Sequence, residues 1–261
     1  MRTTIHDLAK MKQDGRPIPV LTCYDYTSAK ILDSAGMPVL LVGDSLGMVV
    51  LGHDTTLPVT MDIMIQHCKA VARGSKNALI VLDLPFATYS AHDPALSLKN
   101  AARALAEGGA QAIKLEGGAA MAPIVAALVS AGIPVMGHIG LTPQSIHRFG
   151  SYTMQGKEEA AKKRLLADAL ELESAGAFSI VLELVASDAA EQISGRLKIP
   201  TIGIGAGKGC DGQVQVFHDV FGLYEDFVPK HTRRYATLAD TLREAAKAYI
   251  ADVSGRKFPP K

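Results

Sequence analysis

Short runs of nearly continuous apolar residues recur along the chain, at residues 19–24, 39–43, 78–82, 112–115, 134–137, 179–182 and 200–204. Their shortness, β-branched content and lack of polar alternation predict strands covered on both faces, as in a parallel sheet. A fainter eighth run spans 213–216. Between the runs lie segments of helical composition, at 26–34, 60–73, 94–107, 119–131, 157–175 and 187–196. Several close on a small residue and a glycine (Ala35-Gly36, Gly108-Gly109, Ala131-Gly132, Ala175-Gly176), the signature of a helix C-cap that leads into the next strand.

Repetition of strand and helix with right-handed crossovers leaves two architectures, an open doubly wound sheet or a closed (β/α)8 TIM barrel. Barrels of this kind take about 250 residues as one domain, and this chain has 261 with no linker or low-complexity break. The expectation is a single barrel domain over 1–261, with 230–261 forming a C-terminal helix and tail. Residues 117–149 hold one Asp, Glu, Lys or Arg, Arg148, but Pro123, Gly132 and Pro134 divide them. A membrane-spanning helix needs about 20 apolar residues in one piece, so this stretch reads as a buried helix followed by a buried strand. The first ten residues contain no apolar core of a secretory signal.

Composition narrows the function. Lysine and arginine number 27 against 26 aspartates and glutamates, a formal net charge of +1, which gives no electrostatic case for nucleic acid or an anionic membrane. The three cysteines, Cys23, Cys68 and Cys210, are far apart and odd in number. They form no disulfide framework or zinc spacing and favour a reducing compartment, the cytoplasm. There is no tryptophan.

In a barrel the C-terminal ends of the strands face the active site. Those ends carry Asp44 and Ser45, Asp83, Lys114 and Glu116, His138, and Glu183. Four carboxylates, a lysine and a histidine thus converge from five strands. An aspartate after a strand is also a common helix N-cap or turn former, and that alternative stands for Asp44 and Asp83. Lys114 and Glu116, two apart, point to one side of their strand and need partners if that side is the interior. Glu183 sits among Val181, Leu182, Leu184 and Val185, apolar surroundings that suit a general base. Carboxylates without clustered thiols or imidazoles suit Mg2+. With the lysine to hold negative charge, the set fits metal-assisted enolisation of a small 2-oxo acid.

Other signals are weaker. The glycine run 203–207 lacks the strand, helix and acidic residue of a dinucleotide site. His53, His67, Cys23 and Cys68 have no ligand spacing, and Met61 and Met64 read as packing.

Ordered motifs extend this reading: LVGDSLGM at 41–48, LPVT at 57–60, DLPF at 83–86, IKLEGG at 113–118, HIGLTPQS at 138–145, IGIGAG at 202–207 and CDGQV at 210–214. Over about residues 5–230 the chain resembles the ketopantoate (3-methyl-2-oxobutanoate) hydroxymethyltransferase family. The resemblance implies a barrel of the phosphoenolpyruvate mutase and isocitrate lyase superfamily. It implies transfer of a one-carbon unit from 5,10-methylenetetrahydrofolate to 3-methyl-2-oxobutanoate, giving 2-dehydropantoate for pantothenate synthesis. By motif it assigns Asp44 and Asp83 as direct carboxylates of a Mg2+ site completed by Glu116. It assigns Ser45 and Lys114 to the oxo acid, with His138 beside it, and Glu183 as proton acceptor. It also implies a homo-oligomer, decameric in the family. The alternatives are another Mg2+-dependent lyase or mutase of the superfamily and a non-catalytic metabolite-binding barrel. The Lys-Cys-Gly-His loop of isocitrate lyases is missing here.

Overall fold

Eight parallel strands close into a barrel in chain order. They are β1 (Ile18–Thr22), β2 (Val39–Val42), β3 (Leu79–Asp83), β4 (Ala112–Lys114), β5 (Val135–Gly140), β6 (Ser179–Glu183), β7 (Thr201–Ile204) and β8 (Gly212–Gln215). The expected (β/α)8 architecture is the observed one, and the faint eighth run is a strand. The computed structural model describes residues 2–259, which divide into two compact units, one up to Val214 and one from Gln215.

In the first unit the helices are α1 (Ile5–Gln13), α2 (Tyr26–Ser34), α3 (Leu46–Val49), α4 (Met61–Gly74), α5 (Pro94–Ala106), α6 (Ala122–Ser130), α7 (Ile146–Phe149), α8 (Glu159–Ser174) and α9 (Ser187–Arg196). Local chemistry sets their ends. The Thr60 hydroxyl accepts the Ile63 N–H to start α4, which buries Met61, Met64, Ile65, Cys68 and Val71 along one face. Asp25 and Asp93 cap α2 and α5 in the same way. Gly36 and Gly176, at φ +85° and +97°, make the left-handed turns expected after α2 and α8.

Side chains alternate along each strand, so every second residue faces the barrel interior. Val20, Val39, Leu79, Val81, Ala112, Met136, Val181, Ile202 and Val214 pack there into one buried cluster. From the other side α1 adds Leu8, fully buried, with Ile5 and Met11 against the same cluster. The N-terminal end of the barrel is therefore floored by a helix. Above this layer, two residues further along their strands, stand Asp83, Lys114, His138 and Glu183.

Two expectations change in detail. The helix expected over 119–131 begins as a 3-10 turn (Ala119–Met121), and α6 proper starts at Ala122 with Pro123 in its first turn, where a missing N–H costs nothing. β5 runs past the expected 137 to Gly140, because its pairing with β6 continues through His138↔Val181 to Gly140↔Glu183. The stretch 117–149 is thus helix, strand and short turns. No helix among the described residues is long and apolar enough to cross a membrane.

The second unit carries α10 (Phe217–Val220) and α11 (Leu238–Ser254). Within it, Arg243 pairs with Asp240 and Glu225, both at 2.7 Å, and no residue of α11 is buried.

Candidate active site

β3 and β4 lie side by side with Asp83 and Lys114 in register. Lys114 Nζ donates to both carboxylate oxygens of Asp83, at 2.7 and 2.6 Å, and both side chains are buried. On the next strand His138 stands between two carboxylates. Its Nδ1 is 3.4 Å from Glu116 Oε1 and its Nε2 is 3.3 Å from Glu183 Oε2. Neither contact has hydrogen-bond geometry, so the attraction is one of charge. Glu116 lies two residues past the end of β4, in a link held to β5 where the Gly117 N–H donates to the His138 carbonyl at 2.9 Å.

Asp44 caps no helix: α3 begins after Ser45 without a side-chain cap. Instead Asp44 Oδ2 accepts from Gln144 Nε2 at 2.9 Å. The same amide nitrogen donates to the Leu84 carbonyl at 2.9 Å, and the Gln144 backbone N–H donates to Glu116 Oε2 at 3.1 Å. Tyr89 finishes the frame, donating to Gln144 Oε1 at 2.7 Å and accepting the Glu116 N–H at 3.0 Å. Gln144 thus ties Asp44 to Glu116. Ser45 stands apart from this frame, with its hydroxyl 2.9 Å from that of Tyr24.

Burial and crowding decide the charges. Asp44 is pushed well above the usual carboxylate range by burial and then by the negative charges of Asp83 and Glu116. Burial likewise raises Asp83, against the opposing pull of Lys114. For Lys114 burial works against the cation, but Asp83, Glu116 and Asp44 outweigh it and raise its pKa. Burial and Lys114 both oppose charge on His138, yet Glu116 and Glu183 push its pKa up to about 9. At neutral pH the imidazole is a cation between two glutamates.

Glu183 is the last residue of β6 and differs from its neighbours in access: its side chain is 18% exposed, against 3% for Asp83 and 4% for Glu116. The residue after it, Leu184, has φ +46°, in the left-handed region that a branched side chain rarely enters. Its N–H donates to the Ile204 carbonyl and its own carbonyl accepts from Gln155 N–H, at 2.9 and 2.7 Å. This pinned backbone fixes where Glu183 leaves the strand.

The family model for ketopantoate hydroxymethyltransferase matches residues 2–261. The chain belongs to the ketopantoate hydroxymethyltransferase family. The 3-methyl-2-oxobutanoate hydroxymethyltransferase of Chloroflexus aggregans is 58% identical over 259 residues, covering 99% of this chain and 92% of that protein. The enzyme of the same name from Dehalococcoides mccartyi is 55% identical with the same coverage. Among solved structures, 2,3-dimethylmalate lyase, a member of the phosphoenolpyruvate mutase and isocitrate lyase superfamily, has a TM-score of 0.62 at 15% identity, covering 100% of this chain and 90% of that one. Phosphonopyruvate hydrolase has a TM-score of 0.61 at 13% identity, covering 97% and 86%. These two show the shared fold, a closed (β/α)8 barrel.

For this hydroxymethyltransferase-family chain the fit of a metal can be tested on the donors present. Among the described residues, no three His, Cys, Asp or Glu side chains converge as a ready-made metal cage. Mg2+ does not ask for one, since it keeps waters and takes one or two carboxylates. Four carboxylates face only Lys114 and His138 as cations, and Asp44 and Asp83 are destabilised as anions by burial. All candidate donors are oxygens. Such a set of oxygen donors fits a hard divalent cation.

A cavity of about 470 Å³ opens beside this cluster, and its lining includes Glu116, Gln144, Phe86, Phe149, Arg148 and Arg164. Of the site residues expected from sequence, Glu116 alone lines it. Gln144 and Tyr89 escaped the sequence reading because neutral side chains give no sign of burial. Gln144 nonetheless sits inside the HIGLTPQS motif, six residues after His138.

Proposed function

We propose that this chain transfers a one-carbon unit from 5,10-methylenetetrahydrofolate to 3-methyl-2-oxobutanoate, giving 2-dehydropantoate and tetrahydrofolate. The relatives' shared name supports the reaction. Glu183 supports the mechanism: among the described residues no hydrogen-bond donor caps its carboxylate, and it is the most exposed of the four acids at the mouth.

The reaction begins with loss of the C3 proton of the oxo acid to Glu183. His138, cationic beside Glu183, steadies the carboxylate while it is an anion. Lys114 and Ser45 bind the oxo acid, and the Lys114 ammonium offsets charge that develops on the enolate oxygen. Asp44, Asp83 and Glu116 would hold Mg2+, which would supply Lewis acidity toward the oxo acid. C3 then bonds to the methylene carbon of the carrier. As that carbon's two bonds to the carrier nitrogens break, water supplies its hydroxyl, and the proton taken by Glu183 and the remaining proton of the water go to the two nitrogens, so that the acid gains CH2O and the carrier leaves as tetrahydrofolate. Gln144 and Tyr89 orient Asp44 and Glu116.

The test is turnover of the purified protein with Mg2+ and both substrates, read as 2-dehydropantoate by mass spectrometry. One product per tetrahydrofolate is expected. No product with both substrates and metal supplied overturns the reading, and cleavage of other 2-oxo acids instead would mark a lyase.

A further inference from the structure

We infer that the cavity leading away from Glu116 holds the one-carbon carrier, and that Arg148 and Arg164 bind the carboxylates of its acidic tail. The inference rests on the reaction proposed above and adds to it a second binding surface.

A two-substrate reaction needs room that the first substrate does not fill. Asp44, Asp83, Lys114 and Glu183 do not line the cavity, whereas Glu116 lines it and also belongs to their cluster. The cavity therefore begins where the oxo-acid site ends. Its volume of about 470 Å³ lies in the range that takes a drug-sized ligand, more than a five-carbon acid requires.

The walls combine two kinds of surface. Phe86, 50% exposed, and the half-buried Phe149 give apolar surface for a ring system, a surface that is costly to leave in water. Arg148, on α7, and Arg164, in the second turn of α8, add positive charge to the same lining. Both are exposed, and neither guanidinium has an ion-pair or hydrogen-bond partner among the described residues. Asp168, in the same lining, already accepts the Ala119 N–H at 2.8 Å. It packs so tightly on Gly118 that a Cβ there would lie 2.3 Å from its carboxyl carbon. Two uncommitted guanidiniums are suited to paired carboxylates, which they bind with two parallel N–H donors each. Methylenetetrahydrofolate has the matching layout: a reacting pterin end, an aromatic linker and a glutamate tail.

The experiment compares wild type with Arg148→Ala, Arg164→Ala and the double variant, using monoglutamyl and pentaglutamyl carriers. We expect KM for the carrier to rise about tenfold in each single variant, with a larger effect on the pentaglutamyl form. Carrier-independent exchange of the C3 proton of the oxo acid, followed by NMR, reports the other half of the site and should run at the wild-type rate. Arg148→Lys and Arg164→Lys, which keep the charge and lose the fork, should recover part of the affinity. An unchanged KM in the double variant overturns the inference, as does a fall in C3 exchange that matches the loss in turnover. Failure of the proposed reaction would look different, since wild type itself would then make no product.

Discussion

Asp83 and Lys114, neighbours in register on β3 and β4, form a doubly hydrogen-bonded ion pair at 2.7 and 2.6 Å inside the barrel. A buried pair holds together because each charge answers the other; removing one leaves the second stranded. Lys114→Met should therefore cost about 3–5 kcal/mol of stability, whereas the double variant Asp83→Asn/Lys114→Met should cost much less than the two singles added. Urea denaturation of the four proteins measures this. Strict additivity would mean that the pair is not coupled.

Glu183→Gln keeps the shape of the side chain and removes its capacity to take a proton. Exchange of the C3 proton of 3-methyl-2-oxobutanoate with solvent should fall by a factor on the order of 10²–10⁴, while calorimetry still detects oxo-acid binding. Exchange at the wild-type rate would move the base elsewhere.

Gln144 donates to Asp44, Leu84 and Glu116 at once. Gln144→Leu removes the two side-chain donations and should weaken Mg2+-dependent oxo-acid binding about 10–100-fold, as loss of a group orienting metal ligands does. Asp44→Ala should abolish the Mg2+ dependence. Calorimetric titrations with and without EDTA separate these outcomes, and binding that ignores both substitutions would remove Asp44 from the metal site.

Asp33, remote from the mouth, offers a pH test of the scaffold. Its Oδ1 accepts from the Ser75 hydroxyl and the amides of Asn77 and Ala78, and its Oδ2 from the Lys76 amide and the Asn77 side chain. Burial opposes its charge, but these donors hold its pKa well below the usual range. The folded value lies under the unfolded one, so its contribution is complete above the unfolded pKa of about 4. It is lost as pH falls through the folded value. Asp33→Asn should cost about 1–3 kcal/mol at pH 7 and flatten the acid side of the stability profile. An equally steep profile in the variant would refute the assignment.

The barrel was legible in the sequence because a parallel strand covered on both faces is apolar throughout, and because glycine marks where each helix turns back. What escaped has physical reasons. The helix α1 carries its apolar contacts on Ile5, Leu8 and Met11 alone, too sparse a stripe among polar neighbours. His138 and Gly140 break the apolar run of β5, although the backbone pairing passes straight through them. At the site, charge was the visible signal: Asp83, Lys114, Glu116, His138 and Glu183 meet as one cluster, with Asp44 joined to it through Gln144. Arg148 and Arg164, by contrast, read as ordinary solvated residues on helix surfaces until the cavity linked them to Glu116.

The floor that α1 lays across the barrel has a kinetic meaning. Leu8, fully buried in the core cluster beneath the site, packs that end shut, which leaves the opposite mouth as the way in and out. On the proposed chemistry the small acid and the carrier, whose cavity adjoins the acid's site at Glu116, must therefore share one face of the barrel. A nine-residue helix at one end of the barrel thus leaves the other end to carry all exchange with solvent.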